Sequence, residues 1–391
     1  MISTSGSFVR KGASVRRSVS LLAGILLVAS SFAISGEAGA APQPERLHAT
    51  PGQPFVNSSG PVTLFGPNVQ PIWDPKTTDT WSQGTYHEIR RKGFTAVRMV
   101  LFWDDFEPQQ AQWNKTAFDT LKKAVGYAKD EGLYVVLDCI HLYGGNNDGK
   151  GRFPAWTMKG PNKDLPAFDQ AVADGLGFLQ YLAGEYANET AIAAYDPINE
   201  PYHDPADPNG LMRGYAKVVD AIRAKDKNAS IMLEPSYGDA KVPSSAFTPF
   251  NNNPNNALNL IWSIHDYYPG GAGEGYGDDG SATTPNASQG NENNGPNDFT
   301  EYKPGHTADL EAHLNVQLDL TRTVGLPLWI GEFGIASAKK GHNDFIDDYV
   351  ALFKNKGLGF AWWEYKDGGS FRMINPDDDS WLDWVDRLLP R

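Results

Sequence analysis

Short apolar runs without alternation recur along the chain, separated by segments whose apolar residues fall at helical spacing. The runs lie at 62–65, 94–101, 133–137, 191–195, 231–235, 258–264, 328–331 and 360–363. A strand covered on both faces reads this way, because neither side needs a polar edge toward water. Between them, residues 86–92, 115–131, 167–186, 211–224, 309–323, 345–356 and 381–389 carry a helical period, and Gly93, Gly132 and Gly325 follow three of them as helix stops. Eight strands alternating with helices predict a parallel sheet closed on itself, an α/β (β/α)8 TIM barrel in a single domain over residues 41–391. Two stretches break the rhythm. Residues 236–257 show no helical period, and the Gly/Asn-rich stretch 270–305 is far longer than an ordinary connection. Because it follows a strand's C-terminal end, it is expected to border the mouth of the barrel.

The first 40 residues follow a different plan. Arg10, Lys11, Arg16 and Arg17 precede the apolar run 21–28, and Ala38-Gly39-Ala40 offers a small-residue cleavage site before Ala41. This is the layout of a secretory signal peptide, so the mature chain is expected to start near Ala41 and to act outside the cell. The apolar run is too short for a membrane span. The full chain has a formal charge of −13. Loss of the leader removes four basic residues and one acid, so the mature protein is more acidic still and has no electrostatic footprint for nucleic acid or an anionic membrane. The sole cysteine, Cys139, lies inside an apolar strand, where a packed thiol is expected. A monomer is expected.

Chemistry concentrates where strands end. Asp196-Pro197-Ile198-Asn199-Glu200-Pro201 sets an amide beside a carboxyl, and the prolines mark where the strand leaves its sheet. Trp329-Ile330-Gly331-Glu332-Phe333-Gly334 delivers a second carboxyl at an equivalent place. In a barrel both positions open on the same mouth. Two carboxyls there suit glycoside hydrolysis, one to protonate the leaving oxygen and one to attack or to activate water. Arg98 inside the second strand needs a carboxylate partner, since a buried unpaired guanidinium is costly.

These two motifs resemble the strand-4 and strand-7 signatures of glycoside hydrolase family 5, the cellulase-like family of the clan of retaining (β/α)8 enzymes. The resemblance implies that Glu200 is the acid/base and Glu332 the nucleophile. It further implies that Arg98 holds the nucleophile charged, Asn199 bonds the sugar 2-hydroxyl, His265 and Tyr267 form the strand-6 pair, and Trp363 lies under the sugar. His141 matches the strand-3 histidine, except that Asp138-Cys139-Ile140-His141 is one residue longer than the family's Asp-x-His; either a bulge re-aims His141 or another group takes that subsite. Glu200 is expected to keep its proton through burial and a neighbouring anion, and Glu332 to stay ionised beside Arg98 and a tyrosine. Trp73, Trp103 and Trp156 are candidate floors for sugar subsites. No histidine pair has metal-ligand spacing, and neither metal nor organic cofactor is expected. The expectation is therefore a secreted retaining β-glycosidase acting on an oligo- or polysaccharide of β-glucan type, foremost an endo-β-1,4-glucanase. Mannan, β-1,3-glucan and glycosylceramide are alternative substrates. A non-catalytic sugar-binding barrel would need one of the two carboxyls replaced, and neither is.

Overall fold

A computed structural model describes residues 43–71, 80–141, 152–158, 166–201, 203, 207–236, 242–251, 258–267, 302–303, 306–366 and 369–390. The leader, Trp73 and nearly all of the 270–305 stretch fall outside the described residues. Ala40–Arg391 forms one compact unit. Its centre is a closed, all-parallel barrel whose strands are β4 (Phe65–Val69), β5 (Ala96–Val100), β6 (Tyr134–His141), β7 (Ile192–Asn199), β8 (Ile231–Leu233), β9 (Leu260–His265), β10 (Leu328–Phe333) and β11 (Phe360–Trp362). Closure comes from β11, which pairs with both β10 and β4.

The helices form where the sequence supplies caps and one apolar stripe. Gln83–Lys92 starts at Ser82, whose hydroxyl accepts the Thr85 N–H, and stops at Gly93 in the left-handed conformation (φ 113°) that glycine adopts without strain. Lys115–Asp130 is capped by Asn114 and buries Ala117, Phe118, Leu121, Ala124, Val125 and Ala128 at the i, i+3, i+4 spacing of a single face. That face belongs to the large apolar core between helices and barrel.

The departures from the sequence reading have physical causes. Residues 43–61, where the sequence predicts no element, contain an antiparallel sheet of β1 (His48–Thr50), β2 (Gln53–Asn57) and β3 (Gly60–Pro61), with strands too short to show a period. This sheet brings Phe55 edge-on against Trp329 at 6.1 Å and joins a core of Leu47, Leu64, Met232 and Ile261 that plugs the barrel where its strands begin. The first barrel strand starts at Phe65, and Leu64 before it packs in the plug, its carbonyl accepting the Trp329 Nε1–H at 3.1 Å and the Phe360 N–H at 3.0 Å. Among the described residues of the fifth crossover lie a 3-10 turn, Ser244–Phe247, and one helical turn, Thr248–Asn251, in keeping with the missing helical period of that stretch. Finally, the closing segment is a 3-10 helix, Asp383–Leu388, whose i, i+3 pair Val385 and Leu388 is buried; three residues per turn place that pair on one face.

Candidate functional site

Arg98, His141, Asn199, Glu200, His265, Tyr267, Glu332 and Trp363 all stand at the C-terminal ends of barrel strands or within two positions of them. Their centre is Arg98 on β5, which is wholly buried. Its Nη1 donates to Glu332 Oε1 and to Asn68 Oδ1, both at 2.9 Å, and Nη2 donates to Asn199 Oδ1 at 2.9 Å and to Glu234 Oε1 at 3.4 Å. Nε donates to Asp196 Oδ2 at 3.1 Å, and Asp138 Oδ2 lies 3.1 Å from Nη1. Burial alone would lower the guanidinium's pKa, but Asp138, Asp196, Glu332 and Glu234 hold it well above its ordinary value.

Glu332 owes its aim to a bulge. Against β9, Ile330 pairs with Ile264 and Glu332 with His265, so two steps of β10 oppose one step of β9; the same extra residue appears against β11. The bulge sits at Gly331, where a Cβ would lie 2.6 Å from Ser263 Oγ and 3.1 Å from His265 Nε2. Glu332 thus turns into the barrel, where Tyr267 donates to its Oε2 at 2.8 Å while Arg98 donates to Oε1. Burial raises the Glu332 pKa above the usual carboxylate value, with Glu200 adding to the rise, and the charges of His265 and Arg98 only partly oppose it. Arg98 and Tyr267 thus favour the ionised carboxyl as expected, against the desolvation that raises its pKa.

Glu200 follows Asn199 at the tip of β7 and has a left-handed backbone, φ 45°. Its Oε1 is 3.0 Å from His265 Nδ1. His265 also approaches Glu332 Oε2 at 3.6 Å and Glu234 Oε1 at 3.2 Å. Burial disfavours a charged ring, yet Glu234 and Glu332, with the bond to Glu200, hold His265 well above its usual pKa and so favour the imidazolium. One oxygen of Glu200, one of Glu332 and a nitrogen of His265 all lie within 4.8 Å of one another. Such a trio has donors that could hold a divalent ion, but the Glu332 oxygens already accept from Arg98 and Tyr267, which leaves them poorly placed for one.

The extra residue in Asp138-Cys139-Ile140-His141 is absorbed outward. Cys139 and Ile140 both join the outer core, while Asp138 and His141 meet each other at 3.0 Å. Strand β7 makes the same excursion, with Asp196 and Asn199 both on Arg98 and Ile198 in the outer core, so Asp138↔Asp196 and His141↔Asn199 stay in register. His141 therefore reaches the mouth beside Asn199. Trp362 and Trp363 divide as two consecutive strand residues must. Trp362 is buried outward, its Nε1 donating to the Phe371 carbonyl at 2.9 Å, while Trp363 packs with Tyr267 at the mouth. Trp103 does not floor a subsite: it is 1 % exposed, ringed by Phe153, Trp156 and Phe178. Asn68, Asp138, Asp196 and Glu234 were missed as site residues. Each is a polar side chain at the end of an apolar run, which is the signal that Asn199 and Glu200 carried.

A parallel eight-stranded barrel whose mouth holds two facing carboxyls, an arginine and a histidine defines the architecture of the barrel glycosidases. The family model for cellulase, glycosyl hydrolase family 5, matches residues 52–369, and the chain belongs to that family. It is 24% identical over 304 residues to a beta-xylosidase of Phanerodontia chrysosporium, an alignment covering 74% of this chain and 57% of the relative. It is 23% identical over 312 residues to endoglucanase 1 of Ruminococcus albus, covering 74% of this chain and 66% of the relative. The chain thus spans less than two thirds of the length of either relative. In three dimensions it superimposes on an endogalactoceramidase crystal structure with a TM-score of 0.65 at 20% identity, over 88% of this chain and 83% of that one. Among the described residues no helix is long and apolar enough to cross a membrane.

Proposed function

We propose that the protein hydrolyses β-glycosidic bonds with retention of configuration, acting as an endo-β-1,4-glucanase after export and removal of residues 1–40. The observation that carries this reading is the approach of Glu200 and Glu332 oxygens to within 4.8 Å. Retaining enzymes keep their carboxyls about 5 to 5.5 Å apart, whereas inverting ones leave about 6.5 to 9.5 Å for a water. Glu332 attacks the anomeric carbon while Glu200 gives its proton to the leaving oxygen. The C–O bond to the leaving group breaks as the bond to Glu332 forms. Glu200 then takes a proton from water, whose oxygen displaces Glu332. Asn199 and His141 line the sugar at the mouth, and Trp363 lies beneath it.

Membership of the cellulase family and the endoglucanase likeness favour a β-1,4-glucan over the alternatives. Endogalactoceramidase likeness at 20% identity speaks for the fold, so a glycolipid headgroup is the second reading. The test takes secreted protein, reads its N-terminus by mass, and follows hydrolysis of soluble β-1,4-glucan and of a glycosylceramide by proton NMR. The expected result is a first-formed product with the β configuration, from the glucan, and turnover reduced by more than about 10⁴-fold in Glu332→Ala. A first-formed α product, or turnover by Glu332→Ala near that of the wild type, would overturn the mechanism; cleavage of glycosylceramide alone would transfer it to the second substrate.

A further inference from the structure

We infer that Glu234, just beyond β8, is a positioning residue for Glu200: it holds the backbone of the proposed acid/base in place and orients the His265 ring that touches its carboxyl. This rests on the reading of Glu200 given above. Five contacts carry it. Glu234 Oε2 accepts the backbone N–H of Glu200 at 2.7 Å, the shortest contact of the cluster, while Oε1 lies 3.2 Å from His265 Nε2 and 3.4 Å from Arg98 Nη2. The Glu234 backbone N–H in turn donates to the Tyr215 hydroxyl at 3.0 Å, and that hydroxyl donates to the Ile198 carbonyl at 3.4 Å, on the strand that carries Glu200.

Glu200 needs such a hold. A left-handed backbone is strained for a non-glycine residue, and here φ is 45°. The following residue is Pro201, which restricts Glu200 further and has no N–H of its own to anchor the turn. A charge-assisted bond from a carboxylate to the Glu200 N–H is the strong type of hydrogen bond and fixes this geometry. Through His265 the same carboxylate reaches the other end of the side chain, since Nδ1 bonds Glu200 Oε1 as Nε2 faces Glu234. Glu234 is 1 % exposed and lies behind His265 and Arg98, so it acts on the sugar only through those groups. The groups facing it are His265, Arg98, Asp196, Tyr215 and the Glu200 amide. A bland alternative is that Glu234 merely helps neutralise Arg98, in which case its loss would disturb Glu332 as much as Glu200.

The leaving group separates the two. Departure of a phenol needs a proton from the acid, whereas departure of a dinitrophenolate does not. Glu234→Gln keeps one acceptor oxygen and loses the other, so it cannot hold both the Glu200 N–H and the His265/Arg98 side. We expect it to lower kcat/KM on a phenyl β-glycoside roughly 100-fold, the lower end of what acid catalysis contributes, while the dinitrophenyl glycoside changes by less than about 5-fold. Tyr215→Phe, which frees the Glu234 backbone, should give the same selectivity in weaker form. Equal losses on both glycosides in folded Glu234→Gln would overturn the proposal. Failure of both variants to fold would also count against it, because Glu234 would then hold the barrel rather than the acid. Glu200→Ala serves as the reference: if it too lacks leaving-group selectivity, the assignment of Glu200 itself is wrong and not the role of Glu234.

Discussion

Arg98 shows how one side chain can organise a site while staying out of reach of substrate. It bonds Asn68, Asp196, Asn199, Glu234 and Glu332 and sits beside Asp138. A buried pair is weak evidence of net stability, but removing one partner leaves uncompensated charge. Arg98→Met is therefore expected to cost about 3–5 kcal/mol of unfolding free energy, read from denaturant midpoints; a loss under about 1 kcal/mol, the scale of an exposed pair, would show that the carboxyls repartition their protons at no cost. At this scale the sequence was partly legible. Glu200 and Glu332 stood out because a proline or glycine beside each marks the end of a strand, and Arg98 because a charge inside an apolar strand demands a partner. Leu233-Glu234-Pro235 carries the same pattern as Asn199-Glu200-Pro201, yet its meaning depends on a contact with Glu200, 34 positions away, that only closure of the barrel creates.

Among the elements, β10 is the one whose irregularity does chemistry. The bulge at Gly331 turns Glu332 inward against both neighbouring strands. A methyl at Gly331 would meet Ser263 Oγ and His265 Nε2, and Ser263 can rotate away more easily than the held His265 ring. Gly331→Ala should cost about 1–3 kcal/mol as overpacking and lower kcat at least tenfold at a temperature where the variant is fully folded. An unchanged kcat would show that the bulge tolerates the methyl without moving His265. Strands and helices with a clear period were readable, as Lys115–Asp130 illustrates with its single apolar face. The sheet β1–β3 was not, because two to five residues per strand cannot display alternation. Nor could periodicity tell that Trp103 packs into the outer core, since a lone aromatic near a strand end reads the same in either place.

For the molecule as a whole, the buried cluster makes stability and activity run in opposite directions with pH. Burial, with the Glu234 charge, pushes Asp196 well above its ordinary 3.8, and burial lifts Glu332 above 4.5. His265, despite burial, is held well above 6.5 by Glu234 and Glu332. All three keep a proton in the fold at pH values where the unfolded chain has released it. Their contribution to stability is complete below the unfolded values and is lost as pH rises through the folded ones. Asp138 behaves oppositely: burial would raise its pKa, but Arg98 and His141 hold it below 3.8, so its contribution disappears only in stronger acid. Tm is expected to fall from about pH 5 to about pH 8. Over the acid side, kcat/KM should rise with pH as Glu332 ionises, with its limb above 4.5. A Tm that climbs between those two pH values would contradict the protonation assigned to Asp196 and His265.

The tie between the Glu200 amide and the Glu234 carboxylate joins the tips of two neighbouring strands. Anyone transplanting rim segments from another barrel to change what this one digests is therefore bound to move the pieces after β7 and β8 together. Exchanged singly, either would arrive without the anchor or without the group it anchors. Glu332, set below the rim by its own strand's bulge, would ride out such surgery unmoved.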